Sequence, residues 1–174
     1  MGAIRRPTRP DPARFLLLAA SLLLFIVACA LPAVVFRTFS GGVPDGDDKS
    51  SAGIVLLLIG GLGIFAGQFA WLANFPLAVS WFTLLFRAYR LSFVFALLAA
   101  LIALDTLALY SNSIPADEAG TREQFLIHLQ AGFFLWLAAM LLVAAGSVVL
   151  RIRQKRANSV VPPVDTPSAP TTIK

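Results

Sequence analysis

The stretch GIVLLLIGGLGIFAGQFAWLANFPLAVSWFTLLF, Gly53–Phe86, decides how the chain is read. It holds 34 residues, overwhelmingly apolar and without a single charge. As one straight helix it would run about 51 Å at 1.5 Å per residue. A hydrocarbon core is about 30 Å thick and takes roughly 20 apolar residues. The run is therefore too long for one crossing, and two crossings would leave no residues for a turn. It carries its own interruption at Asn74-Phe75-Pro76, with the polar Gln68 one to two turns earlier. The expectation is a single crossing by a broken helix, with surplus length in its glycine-rich start at 53–67.

Three further apolar blocks, Phe15–Phe36, Leu91–Tyr110 and Phe125–Leu150, each approach the length of one span. The chain is 58% hydrophobic and 13% charged, against about 25% charged in soluble domains. The predicted fold is an all-α integral membrane bundle of four transmembrane helices. Its segments are a basic tail (1–14), span 1 (15–36), an acidic loop (37–52), interrupted span 2 (53–86) and a turn (87–90). Span 3 (91–110), a second acidic loop (111–124), span 4 (125–150) and a basic, then disordered, tail (151–174) complete it. Disorder is expected from Ala157 onward, where prolines stand among Ser, Thr and Val. The first block also resembles a signal peptide, and Ile26-Val27-Ala28-Cys29 fits a lipoprotein cleavage pattern. Because apolar sequence continues to Phe36, it is read as an uncleaved anchor; whether Cys29 is ever lipidated stays open.

The net charge of +5 would suit nucleic acid, but its placement argues otherwise. Arg5, Arg6, Arg9 and Arg14 precede span 1, Arg87 and Arg90 follow span 2, and Arg151, Arg153, Lys155 and Arg156 follow span 4. The other two connections carry Asp45, Asp47 and Asp48, and Asp117, Glu118 and Glu123. The positive-inside rule then puts both termini in the cytoplasm and the acidic loops outside. The cluster Arg151–Arg156 is a candidate contact for lipid headgroups, at about 1 kcal/mol per basic residue. The loop Asp45–Lys49 faintly resembles a calcium site, yet lysine falls where a ligand is needed and no closing glutamate follows. It is read as a solvated turn.

Polar residues inside the blocks form the candidate pocket: Gln68, Asn74, Asp105, His128 and Gln130. Asp105 and His128 fall at similar depth near the outer ends of spans 3 and 4, so an Asp105–His128 pair is expected, since ionisable groups at membrane depth seek partners. Gly63 and Gly67 form a GxxxG pattern suited to helix packing, and Ala96, Ala99, Ala100 and Ala103 give span 3 a close-packing face.

Catalytic signatures are missing. One histidine and one cysteine cannot supply a zinc cluster, and no GxSxG, HExxH, P-loop or dinucleotide fingerprint occurs. No catalytic residue, metal or cofactor is assigned, and no nucleic acid partner is expected. The expected partners are the lipid bilayer and a membrane protein, or a second copy of the chain.

The stretch Gly67-Gln68-Phe69-Ala70-Trp71-Leu72-Ala73-Asn74-Phe75-Pro76, together with Gly132–Met140, resembles a group of small bacterial four-span proteins. They share a FAWxANP break and a GFxLWLAxM last span. This chain departs from them by inserting Phe75 between Asn74 and Pro76. The resemblance implies a bacterial cytoplasmic (inner) membrane and carries no activity. The functional expectation is a non-enzymatic accessory or interaction subunit. The alternative is a small oligomeric transporter or channel using the polar residues of the outer half. An outer-leaflet enzyme ranks last.

Overall fold

The computed structural model describes residues 12–116 and 121–159. Helix α1 (Pro12–Ala30) leads into strands β1 (Pro32–Ser40), β2 (Val43–Pro44) and β3 (Lys49–Ala52). Helix α2 (Gly53–Ile59) tightens into a 3-10 segment, Gly60–Ala66, and after a turn a second one, Ala70–Ala73, opens helix α3 (Asn74–Leu85). Helix α4 (Tyr89–Ala103) continues as a 3-10 segment, Leu104–Tyr110. Strands β4 (Ile114–Pro115) and β5 (Arg122–Leu129) then precede helix α5 (Ala131–Ser159).

The four-span, all-α expectation is corrected. The strands form a five-stranded antiparallel sheet in which β1 pairs with β5 on one edge and with β2 and β3 on the other, while β4 lies beyond β5. Three helices are long and apolar enough to cross a membrane: Pro12–Ala30, Tyr89–Tyr110 and Ala131–Ala157. The block 53–86 is no single broken span but two shorter apolar helices, Gly53–Ala66 and Ala70–Leu85.

Each departure has a local cause. Pro32 has no amide hydrogen and disfavours helical backbone at Leu31, so α1 stops at Ala30 rather than running to Phe36. Beyond it Ala33, Val34, Val35 and Phe36 are all buried. Such a strand reads as an unbroken apolar run, and composition cannot tell it from helix. At the other boundary, Phe125 begins no span. Arg122–Leu129 opens on three polar residues, Arg122-Glu123-Gln124, carries a polar His128 near its end, and pairs along β1 from Ser40↔Arg122 to Val34↔Leu129.

The break in 53–86 falls at Gly67–Phe69, not at Asn74–Pro76. Gly67 has φ 76°, open to glycine without a Cβ penalty. Gln68 N donates to Gly63 O (2.9 Å) and Gly67 N to Ile64 O (3.1 Å), the two bonds of a Schellman motif. Gly63 and Gly67 therefore terminate a helical segment instead of forming the expected packing face. Pro76 lies in the first turn of α3, where a missing N–H costs nothing.

Helices α3, α4 and α5 pack in series, with α1 against α5. At one end Leu84, Tyr89 and Leu150 cluster with Ala13, Leu17 and Leu18, and Arg14 Nη1 donates to Leu85 O at 2.9 Å. The sheet covers the opposite end. Ala96, Ala99, Ala100 and Ala103 are buried and bring α4 close to its neighbours, with Met140 and Val143 of α5 filling the same clusters. Two hydroxyl relays cross the bundle. Ser147 Oγ donates to Ser92 Oγ (2.9 Å), which donates to Ser80 O (3.0 Å). Trp81 Nε1 donates to Ser21 Oγ (3.0 Å), which donates to Ala139 O (3.0 Å).

Two glycines join the sheet to the bundle. A Cβ on Gly53 would strike the Ala28 carbonyl, and one on Gly132 would lie 2.8 Å from Pro32 O and 2.9 Å from Leu31 O. Helix α5 extends through Ala157 to Ser159, past the point where disorder was expected. On this last stretch Arg151 is half-buried, and Arg153, Lys155 and Arg156 are exposed. Arg5, Arg6, Arg9, Asp117, Glu118 and the proline-rich segment from 160 lie outside the described residues.

Candidate functional site

A cavity of about 310 Å³ lies where the sheet meets the helices. Its volume falls at the lower end of ligand pockets, about 300–1,000 Å³. Strand β1 supplies Ala33, Val34 and Phe36, the C-terminal end of α1 supplies Phe25, Ala28 and Cys29, and α5 supplies Gly132, Phe133 and Trp136. Segment 53–66 forms a further wall with Val55, Leu56, Leu57 and Ile59. The polar lining comes from Ser51, Gln68, Asn74, Thr106 and Gln124. Among the described residues, no ionisable side chain other than the Cys29 thiol lines the cavity.

The floor is held by indole and amide bonds. Asn74 Oδ1 accepts from Trp136 Nε1 at 3.0 Å, and Asn74 Nδ2 donates to Trp71 O at 2.9 Å. Trp71 Nε1 donates to Leu57 O at 2.8 Å, fixing segment 53–66 to the start of α3. The same indole is cradled by Gly60, where a Cβ would stand 2.9 Å from Trp71 Cδ1. Gln68 differs from these residues. Its Oε1 is buried and accepts no hydrogen bond from any described residue.

Of the expected pocket residues, Gln68 and Asn74 line the cavity, while Asp105, His128 and Gln130 do not. The Asp105–His128 pair is not formed. Asp105 Oδ2 accepts from Phe69 N at 2.7 Å, closing the turn after Gly67. His128 is exposed on β5, opposite Val35. Gln130 opens α5: its N donates to Ala33 O (2.8 Å) and its O accepts from Phe133 N (3.1 Å). Sequence reasoning missed Trp71, Trp136, Thr106 and Gln124 as lining residues. The spacing Trp71-x-x-Asn74 was a usable signal, because residues three apart share a helical face.

Charge at the sheet end is paired locally. Arg37 donates to Asp48 through Nε (2.6 Å) and Nη2 (2.8 Å), and Arg122 Nε lies 3.2 Å from Asp45 Oδ2. The hydrogen bonds from Arg37, with its charge and that of His128, hold the Asp48 carboxyl below its ordinary value, against a smaller desolvation effect. The same contact raises Arg37. The calcium-like loop is thus a turn closed by arginines, with Gly46 at φ 85°. Among the described residues no group of three His, Cys, Asp or Glu side chains could hold a metal ion.

These features define a class: a protein with three helices of membrane-crossing length and apolarity, capped by an antiparallel sheet over an apolar chamber. No family model matches the chain, and no curated protein and no solved structure matches it.

Proposed function

We propose that this is a non-enzymatic accessory protein of the bacterial cytoplasmic membrane that holds an amphiphilic molecule in the chamber beneath its sheet. The carrying observation is the cavity itself, with apolar walls and a few hydrogen-bonding groups, the usual make-up of a small-molecule site. The orientation follows from charge. Arg14, Arg87, Arg90, Arg151, Arg153, Lys155 and Arg156 all belong to the end of the helices away from the sheet. That end faces the cytoplasm under the positive-inside rule, and the sheet and chamber face outward. The bacterial assignment draws on the resemblance carried by residues 67–76 and 132–140.

The chamber supports binding better than ion conduction. Asp105 is used by a backbone amide, and His128 stands apart on the sheet, so among the described residues no chain of ionisable groups lines the cavity. Native mass spectrometry of the chain released from nanodiscs tests the reading. A stoichiometric small-molecule adduct, lost when Leu56→Phe fills the cavity, is the expected result. A bare chain mass under conditions that preserve other membrane-protein adducts overturns it.

A further inference from the structure

The geometry points to an uncharged, hydroxyl-bearing single-chain amphiphile as the occupant, its head hydrogen-bonded to Gln68 and its chain drawn from the surrounding hydrocarbon. This rests on the binding reading above and specifies the chemistry of the ligand.

Three observations carry it. First, buried polar atoms are nearly always hydrogen-bonded, and an exception calls for an explanation. Gln68 Oε1 is such an exception and it lines the cavity. It can only accept, so its missing partner is a donor. A hydroxyl qualifies, whereas an ether or ketone oxygen does not. The Gln68 amide also carries two N–H donors for the oxygen of the same hydroxyl.

Second, the chamber has no charge with which to balance a charged head. Among the described residues, its lining includes neither a basic nor an acidic side chain. A carboxylate or phosphate there would be buried without a counter-ion, an arrangement too costly to persist.

Third, the rim shows the side from which the ligand comes. Among the lining residues only Val55 and Ile59 are exposed, 43% and 55% respectively. Both stand on α2, whose Ile54 and Leu58 are exposed as well, and no residue of α2 is buried. Next to this mouth, α1 exposes Ile26 and Val27. A site filled from water would be edged by polar groups. This one is edged by aliphatic side chains on a chain whose helices suit a bilayer, so the ligand enters from the hydrocarbon.

Cys29 lines the cavity and is the sole cysteine of the chain, so its alkylation reports occupancy. The full-length chain in phosphatidylcholine nanodiscs would be treated with N-ethylmaleimide. 1-Decanol, decyl methyl ether and sodium decyl sulfate, whose head stays ionised, would be added at matched membrane mole fractions. Decanol is expected to slow Cys29 alkylation at a concentration about tenfold below that needed for the ether, the effect of one buried donor–acceptor pair. Decyl sulfate is expected to protect least, because its charge would find no counter-ion in the lining. In Gln68→Leu the decanol preference should vanish while both neutral probes still protect. Gln68→Met, closer in shape, should behave likewise, which guards against a folding defect in either variant.

Equal protection by decanol and ether in the wild type, or a preference surviving in both Gln68 variants, overturns the assignment of the head but leaves the binding reading intact. Decyl sulfate protecting as well as decanol overturns the neutral-head inference. Protection by none of the probes overturns this inference and the binding reading together.

Discussion

Asn74→Leu tests the physical basis of the site. Asn74 joins three elements with two bonds, accepting from Trp136 Nε1 and donating to Trp71 O. Leucine keeps the bulk and removes both. Hydrogen bonds between membrane helices are worth about 0.6 kcal/mol on average and up to about 1.7. An unsatisfied buried donor costs a further 1–3 kcal/mol or so. Trp136 is half-buried, so the lower part of that range applies and the total is about 2 kcal/mol. For a chain of this size that corresponds to a fall in Tm of about 4–8 °C. Thermal unfolding in mild detergent, followed by a thiol-reactive dye at Cys29, measures it. Gln68→Leu is the matched control, because Gln68 Oε1 accepts no hydrogen bond from any described residue; removing an unpaired buried acceptor should leave the Tm at or above that of wild type. The reasoning fails if Asn74→Leu melts with the wild type, or if Gln68→Leu falls as far.

Other predictions concern the joints and the sheet. Gly132→Ala should destabilise by about 1–3 kcal/mol, because its Cβ meets the carbonyls of Leu31 and Pro32. Gly146→Ala should be milder, since the nearest atoms to its Cβ belong to the Leu17 side chain and not to backbone; thermal melts of the two variants compare them. Asp48 is held below its ordinary carboxyl value of 3.8, so its contribution is complete above that value and is lost as pH falls through the lowered one. Carboxyl NMR should find the Asp48 titration moving up toward 3.8 in Arg37→Gln. Asp105→Asn can still offer an oxygen to Phe69 N and should leave protein level and melting unchanged, while Asp105→Leu removes the acceptor and should loosen the 67–69 turn, read as faster amide exchange.

Apolar blocks and charge placement made the membrane-like helices and the shared basic end legible in the sequence. The sheet was not legible, for a reason visible at Ala33–Phe36. A strand buried on both faces has no alternation, and placed directly after a helix it extends the helix's apolar run. Leu129 and Phe133 misled in the same way, since strand and helix are separated only by Gln130. In 53–86 the polar and proline residues Asn74-Phe75-Pro76 are the conspicuous interruption in the sequence. The chain turns instead where Gly67 takes a left-handed conformation, which also reassigned Gly63 from packing to capping. Within the site, Gln68 and Asn74 were readable as polar groups in apolar surroundings. Asp105 and His128 were placed by depth along assumed spans, and that assumption failed once Arg122–Leu129 became a strand. Gln124 and Thr106 join the cavity through sheet pairing and a 3-10 extension that no local pattern announces.

Tryptophan quenching tests the central claim most directly. Trp71 and Trp136 line the cavity and Trp81 does not, so a Trp81→Phe chain reports from the chamber alone. Titrated in nanodiscs with 10-bromodecan-1-ol, it should show saturable quenching that Leu56→Phe abolishes. Quenching that rises linearly with membrane probe, and identically in the filled variant, would mean that the chamber holds nothing.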